Sequence, residues 1–186
     1  MAKTRNGKPR LPASPALRIA TVAVLTAVTA VLTLLVRIPV PATKGYFNLG
    51  DTVIYFTAFT IGPFSALLSG GLGTALADLI GFPTFAPISL FVHGLQGLVA
   101  ALVAGIPLPG GGRGWPFSPS WLLAVVAGTL IMCGGYFAAE SILYGTGPAL
   151  VELPLNLLQN LVGAVVGISL SLILRRAYPP VAQLRW

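Results

Sequence analysis

Charge is scarce in this sequence: 8% of its 186 residues are charged, and only four, Asp51, Asp78, Glu140 and Glu152, are acidic. With 55% hydrophobic residues and a mean hydropathy of +0.88, the chain has too little polar surface to cover a globule in water, which excludes an ordinary soluble domain. The single cysteine, Cys133, sits inside an apolar run, so no intramolecular disulfide and no thiol-bound metal cluster can be built. His93 is likewise alone, and no second histidine completes a metal site around it. Also lacking are a nucleotide-hydrolysing loop, a His-Glu metal motif, a dinucleotide fingerprint and a nucleophile with its base. The GGGRG stretch in residues 107–119 has no Lys-Ser/Thr after it and reads as a cytoplasmic turn. Neither an enzyme nor a cofactor nor a bound metal is expected; a small membrane enzyme built on Asp78 and His93 is the weakest of the alternatives.

What the sequence does have is long apolar runs. In lipid every backbone polar group must be paired internally, so only helices or closed barrels cross a bilayer, and about 20 apolar residues make a crossing helix. Six runs of helical character lie between Pro, Gly and charge, at about 16–36, 49–61, 64–80, 88–106, 121–143 and 150–174. The first is too long for the core of a cleaved signal peptide and is read as a retained helix. The second is short, and its start falls between Tyr46 and Leu49. The expected fold is an all-α membrane protein, a six-transmembrane-helix bundle spanning 16–176 with basic tails at 1–15 and 177–186.

The net charge of +7 resides mainly in those tails, a membrane pattern, so no nucleic-acid partner is expected. Placing both termini in the cytoplasm puts nine Lys and Arg residues inside and only Arg37 and Lys44 outside. The same orientation brings all four acids toward the outer face.

Helical spacing then sorts the polar groups into faces. Ala16, Ala20, Ala23, Ala27 and Ala30 form one small-residue stripe, which lets another helix approach closely, either within the bundle or from a separate subunit. The sixth helix, taken to open after Pro154, carries Asn156, Asn160, Gly163 and Gly167 on one face with Gln159 beside it. Three carboxamides near one helix end exceed what interhelical bonding needs and point to a ligand. Tyr136, Glu140 and Tyr144 follow at intervals of four on the fifth helix; an acid in a span must face a cavity or a partner. Ser89, His93 and Gln96 share a face of the fourth, and Gly71, Thr74 and Asp78 a face of the third. Before the second helix, KGYFNLGDT combines aromatics with Asn48 and Asp51 and could close over a pocket.

Taken in order, the alanine stripe, GYFNLGDT, GPFSALLSGGLGTALADLIG, GYFAAESILYG and ELPLNLLQNLVGAVVG resemble a substrate-binding S component of an energy-coupling factor (ECF) vitamin transporter, over residues 16–176. The resemblance implies capture of a vitamin or precursor from outside, with the first loop as a lid. It also implies a transmembrane coupling subunit, met through the alanine stripe, and two cytoplasmic ATPases. Its substrate-binding positions would be Asn48 and Asp51, His93 and Gln96, Glu140 and Tyr144, and Asn156, Gln159 and Asn160. Phenols, carboxamides and a carboxyl suit a small heteroaromatic of the riboflavin, hydroxymethylpyrimidine or pyridoxine class. The main rival is a self-sufficient secondary carrier or channel that uses Glu140 as an ion relay.

Overall fold

A computed structural model of the chain describes residues 14–106 and 119–184. The basic tail at 1–13 and the glycine-rich stretch at 107–118, with the expectations attached to them, lie outside the described residues. Among the described residues six α-helices follow one another: α1 (Pro15–Leu35), α2 (Gly50–Thr60), α3 (Pro63–Gly81), α4 (Ala86–Ala104), α5 (Pro119–Tyr144) and α6 (Thr146–Ala177). Five of them are long and apolar enough to cross a membrane. The sixth, α2, has 11 residues, about 16 Å at 1.5 Å per residue, half the thickness of a hydrocarbon core. It is enclosed by α1, α3, α4 and α6.

The distribution of polarity is the reverse of a water-soluble protein. His93, Gln96, Glu140, Gln159 and Asn160 are among the largest fully buried side chains, while Ile142 is 85% and Ile80 75% exposed. Such a surface is stable only against lipid.

Chain punctuation explains most helix limits. Ser14 caps α1, its Oγ accepting from the Leu17 amide at 3.2 Å, and Pro15 opens the helix. Gly62 separates α2 from α3 at φ 136°, and Gly145 separates α5 from α6 at φ 93°, both in backbone territory that favours glycine. One expectation is corrected here. The sixth helix does not open after Pro154 but at Thr146, with Pro154 in its interior. The left-handed Gly145, not the proline, is what interrupts the chain. A second finding has no counterpart in the sequence reading. The segment between α1 and α2 folds as an antiparallel hairpin of β1 (Ile38–Val40) and β2 (Gly45–Phe47), pairing Ile38 with Phe47 and Val40 with Gly45. Lys44 takes the left-handed turn position at φ 59°.

Glycines bring the helices together. A side-chain carbon on Gly97 of α4 would lie 2.7 Å from the Ala66 carbonyl oxygen and 3.0 Å from its carbon on α3. Because the obstacle is backbone, Gly97→Ala is expected to lower stability by about 1–3 kcal/mol, measured as a fall in the thermal unfolding midpoint in detergent. On α1 the residues turned inward are Thr29 and Thr33, whose hydroxyls donate back to the Leu25 and Thr29 carbonyls at 2.8 Å. The alanine stripe faces the other way: Ala16, Ala20, Ala23 and Ala27 are exposed and Ala30 half-buried. It is not used for packing within the bundle.

Candidate substrate-binding site

Asp51, one residue into α2, is completely buried, and carboxamides from two other helices converge on it. Gln96 Nε2 of α4 donates to Oδ1 at 2.5 Å, and Gln159 Nε2 of α6 donates to Oδ2 at 2.7 Å. Asn160 Nδ2 lies 3.4 Å from Oδ1. Gly163 makes this possible, since a side-chain carbon there would overlap Asp51. The two gaps expected on the α6 face, Gly163 and Gly167, therefore seat α2. Asn160 Oδ1 in turn accepts from Tyr55 at 2.8 Å and Thr129 at 2.6 Å, tying α2, α5 and α6 together.

The network reaches the hairpin and α4 as well. Gln159 Oε1 accepts from the Asn48 amide at 2.7 Å, and Asn48 Oδ1 accepts from the Gly50 amide at 2.8 Å. The chain leaving β2 is thus fixed to α6. His93 Nδ1 is 2.8 Å from Gln96 Oε1. A carboxamide oxygen can only accept, so Nδ1 carries the proton there.

Above this platform lies a narrow polar hollow with room for little more than a water molecule. Its walls come from the hairpin (Gly45, Tyr46), the Asn48 turn, the later half of α3 (Thr74, Asp78), the start of α4 (Ser89, His93), α5 (Met132, Tyr136) and α6 (Glu152, Asn156, Gln159). The start of α1 and the end of α6 lie at the opposite end of the bundle.

The hairpin roofs the hollow. Tyr46 OH donates to Asp78 Oδ1, and its ring packs on Phe82 with centroids 4.9 Å apart. Arg37 lies 4.8 Å from the Tyr46 ring centre and donates to the Ala77 carbonyl at 2.8 Å. Burial first, then neighbouring Asp78, raises the Tyr46 phenol above its ordinary pKa, so it stays a neutral donor. Inside, Ser89 and Tyr136 share a hydroxyl hydrogen bond, and the His93 and Tyr136 rings are 5.4 Å apart. Tyr46→Phe removes the Tyr46–Asp78 bond between roof and α3 while keeping the ring. The hairpin amides should then exchange with solvent about tenfold faster, the equivalent of one lost hydrogen bond, read by hydrogen–deuterium exchange.

Of the residues expected from sequence, Asn48, His93, Asn156 and Gln159 line the hollow. Asp51, Gln96 and Asn160 form the platform behind them. Glu140 is fully buried beside Glu152 and Asn156. Tyr144 stands half-buried against Phe85, ring centroids 6.2 Å apart, outside the lining. Tyr46, Asp78, Ser89, Tyr136 and Glu152 were not on that list, yet all five line the hollow. Glu152 carried a readable signal: with α6 starting at Thr146 it stands four residues before Asn156, on the same face.

Comparison with known proteins points to one family and fold. The family model for the ECF-type riboflavin transporter S component matches residues 15–176. A thiamine precursor transporter of Lactococcus lactis subsp. cremoris, HmpT, is 34% identical over 156 residues, covering 83% of this chain and 85% of that protein. An uncharacterised protein of Pyrococcus woesei, from the gap 3′ region, is 36% identical over 153 residues, covering 82% and 98%. A solved bacterial ECF transporter S component superposes with a TM-score of 0.61 over 88% of this chain and 98% of its own, at 21% identity, a likeness of fold. The chain therefore belongs to the ECF-type riboflavin transporter S-component family: a multi-pass cell-membrane protein of vitamin uptake, not an enzyme.

Proposed function

We propose that this S component captures a small heteroaromatic vitamin or precursor, of the riboflavin, hydroxymethylpyrimidine or pyridoxine class, at the extracellular face. A coupling subunit and two cytoplasmic ATPases would then drive its uptake. The observation that carries the reading is the convergence of Tyr46, His93, Tyr136, Asn156 and Gln159 from the hairpin and three helices on one hollow. Phenol and imidazole faces can stack on a ring, and carboxamides can read its edge in both hydrogen-bonding senses. Orientation is supported by charge. Arg18, Arg175 and Arg176 belong to the end away from the hollow, while among the described residues only Arg37 and Lys44 are basic at the end bearing it. The narrow hollow, roofed by Tyr46, requires the hairpin to lift for a ligand to enter.

Equilibrium binding by the purified chain to riboflavin, hydroxymethylpyrimidine and pyridoxine, without ATP, tests capture. Tight binding of one of them supports it; no binding to any, together with uptake that needs no coupling module, overturns it. Proton-driven uptake in proteoliposomes holding this chain alone would instead establish a self-sufficient carrier.

A further inference from the structure

At one wall of the hollow, a group of buried polar atoms lacks the well-formed hydrogen bonds of the rest of the site. Glu152 is 3% exposed and lines the hollow directly beneath the hairpin, where a side-chain carbon on Gly45 would run into its carboxyl group. Glu140, fully buried, stands beside it on α5, and Asn156, 5% exposed, follows one turn later on the same face of α6. The three groups lie within hydrogen-bonding reach of one another, Glu140 facing both Asn156 and Glu152. Even so, both Glu140 oxygens, Glu152 Oε2 and Asn156 Nδ2 make no hydrogen bond of ordinary geometry. Asp51, by contrast, has donors on both oxygens.

Buried polar atoms without partners are costly, so a ligand that supplies the missing partners gains that cost as affinity. The unmet set is specific. Glu152 needs N–H or O–H donors, while the neighbouring Asn156 amide needs an acceptor. No Lys or Arg lines the hollow among the described residues, and Asp78 adds a second acid to its wall. Negative charge brought by a ligand would meet two carboxyl groups in the wall, the nearest cation, Arg37, standing behind the Tyr46 ring.

Resting on the capture reading above, we propose that Glu152, backed by Glu140, selects the cargo. It favours a neutral or protonated nitrogen heterocycle with an amino group beside a ring nitrogen, and rejects the phosphate ester of the same compound. The amino group would donate to Glu152 and the ring nitrogen would accept from Asn156. A flavin edge, with one N–H between two carbonyls, asks for the opposite balance of donors and acceptors.

The test is equilibrium binding by the full chain in detergent to hydroxymethylpyrimidine, its phosphate monoester, riboflavin and pyridoxine. The wild type should bind hydroxymethylpyrimidine at least about tenfold more tightly than the other three, the equivalent of one charge-assisted hydrogen bond. Glu152→Gln keeps the shape and removes the acid, and should bring the preference over the phosphate ester to within about threefold. Glu140→Gln should move the same ratio in the same direction by less, and stands in for Glu152→Gln if that variant does not fold. Equal binding of alcohol and phosphate by the wild type overturns the inference, as does an unchanged ratio in a normally melting Glu152→Gln protein. A preference for riboflavin or pyridoxine overturns it while leaving vitamin capture intact; no binding to any of the four overturns both.

Discussion

Asp51→Ala is expected to lower stability by about 3–5 kcal/mol and to abolish ligand binding even in the fraction that stays folded. The substitution leaves the Gln96 and Gln159 amide nitrogens, bonded to the two Asp51 oxygens at 2.5 and 2.7 Å, without an acceptor in the middle of the bundle. No water-exposed rotamer is open to them, since Gln96 is 0% and Gln159 1% exposed. Binding suffers separately, because the Gln159 amide held by Asp51 is the one whose oxygen fixes the Asn48 turn at the base of the hairpin. Asp51→Asn keeps an oxygen acceptor and should lose about half as much, since one of the two strong donors can still be met. Thermal unfolding in detergent gives the stability change, and equilibrium binding on the folded fraction gives the functional one. Full stability in Asp51→Ala would show that the carboxamides find other partners and that Asp51 is not the centre of the platform.

That centre is a good measure of what one-dimensional pattern can and cannot convey. The faces were readable. Helical spacing put His93 with Gln96 and Asn156 with Asn160, and punctuation placed α1 and α3 within one residue of their observed limits at each end. Which face meets which neighbour was not, because it depends on crossing angles that glycines such as Gly71, Gly97 and Gly163 set by contact with another helix. Asp51 and Asn160 consequently became platform, while Asp78 and Tyr136, on faces of the same kind, became wall. Two misreadings have local causes. Strands of three residues, one containing Pro39, are too short to show a period of two, so the hairpin within the expected lid was invisible. In the sequence Pro154 reads as a helix start, which separates Glu152 from the face it shares with Asn156. A proline inside a helix forgoes one hydrogen bond and crowds the preceding turn; α6 nevertheless runs from Thr146 through Pro154 to Ala177.

Ala23→Leu and Ala27→Leu should abolish vitamin uptake while leaving the dissociation constant of the isolated chain within about twofold of wild type. Both alanines are exposed, and they border a shallow apolar trough with Leu68, Leu72 and Leu76 of α3. The contact between α1 and α3 is made elsewhere, where Gly73 admits Thr29 and the Thr26 carbonyl. A leucine at either alanine therefore has nothing to collide with inside the bundle, and stability should hardly change. In lipid an exposed leucine is no less comfortable than an alanine, so an effect on uptake has to come from an approaching helix that the larger side chain holds away. The hollow lies among the far ends of the helices, lined on α1 by Thr33 and not by the stripe, which is why binding should be spared. Co-purification with the coupling subunit, lost in both variants alongside uptake, would tie the defect to docking. Normal uptake by Ala23→Leu and Ala27→Leu would assign the stripe to lipid, and weakened vitamin binding with assembly intact would assign α1 to the site instead.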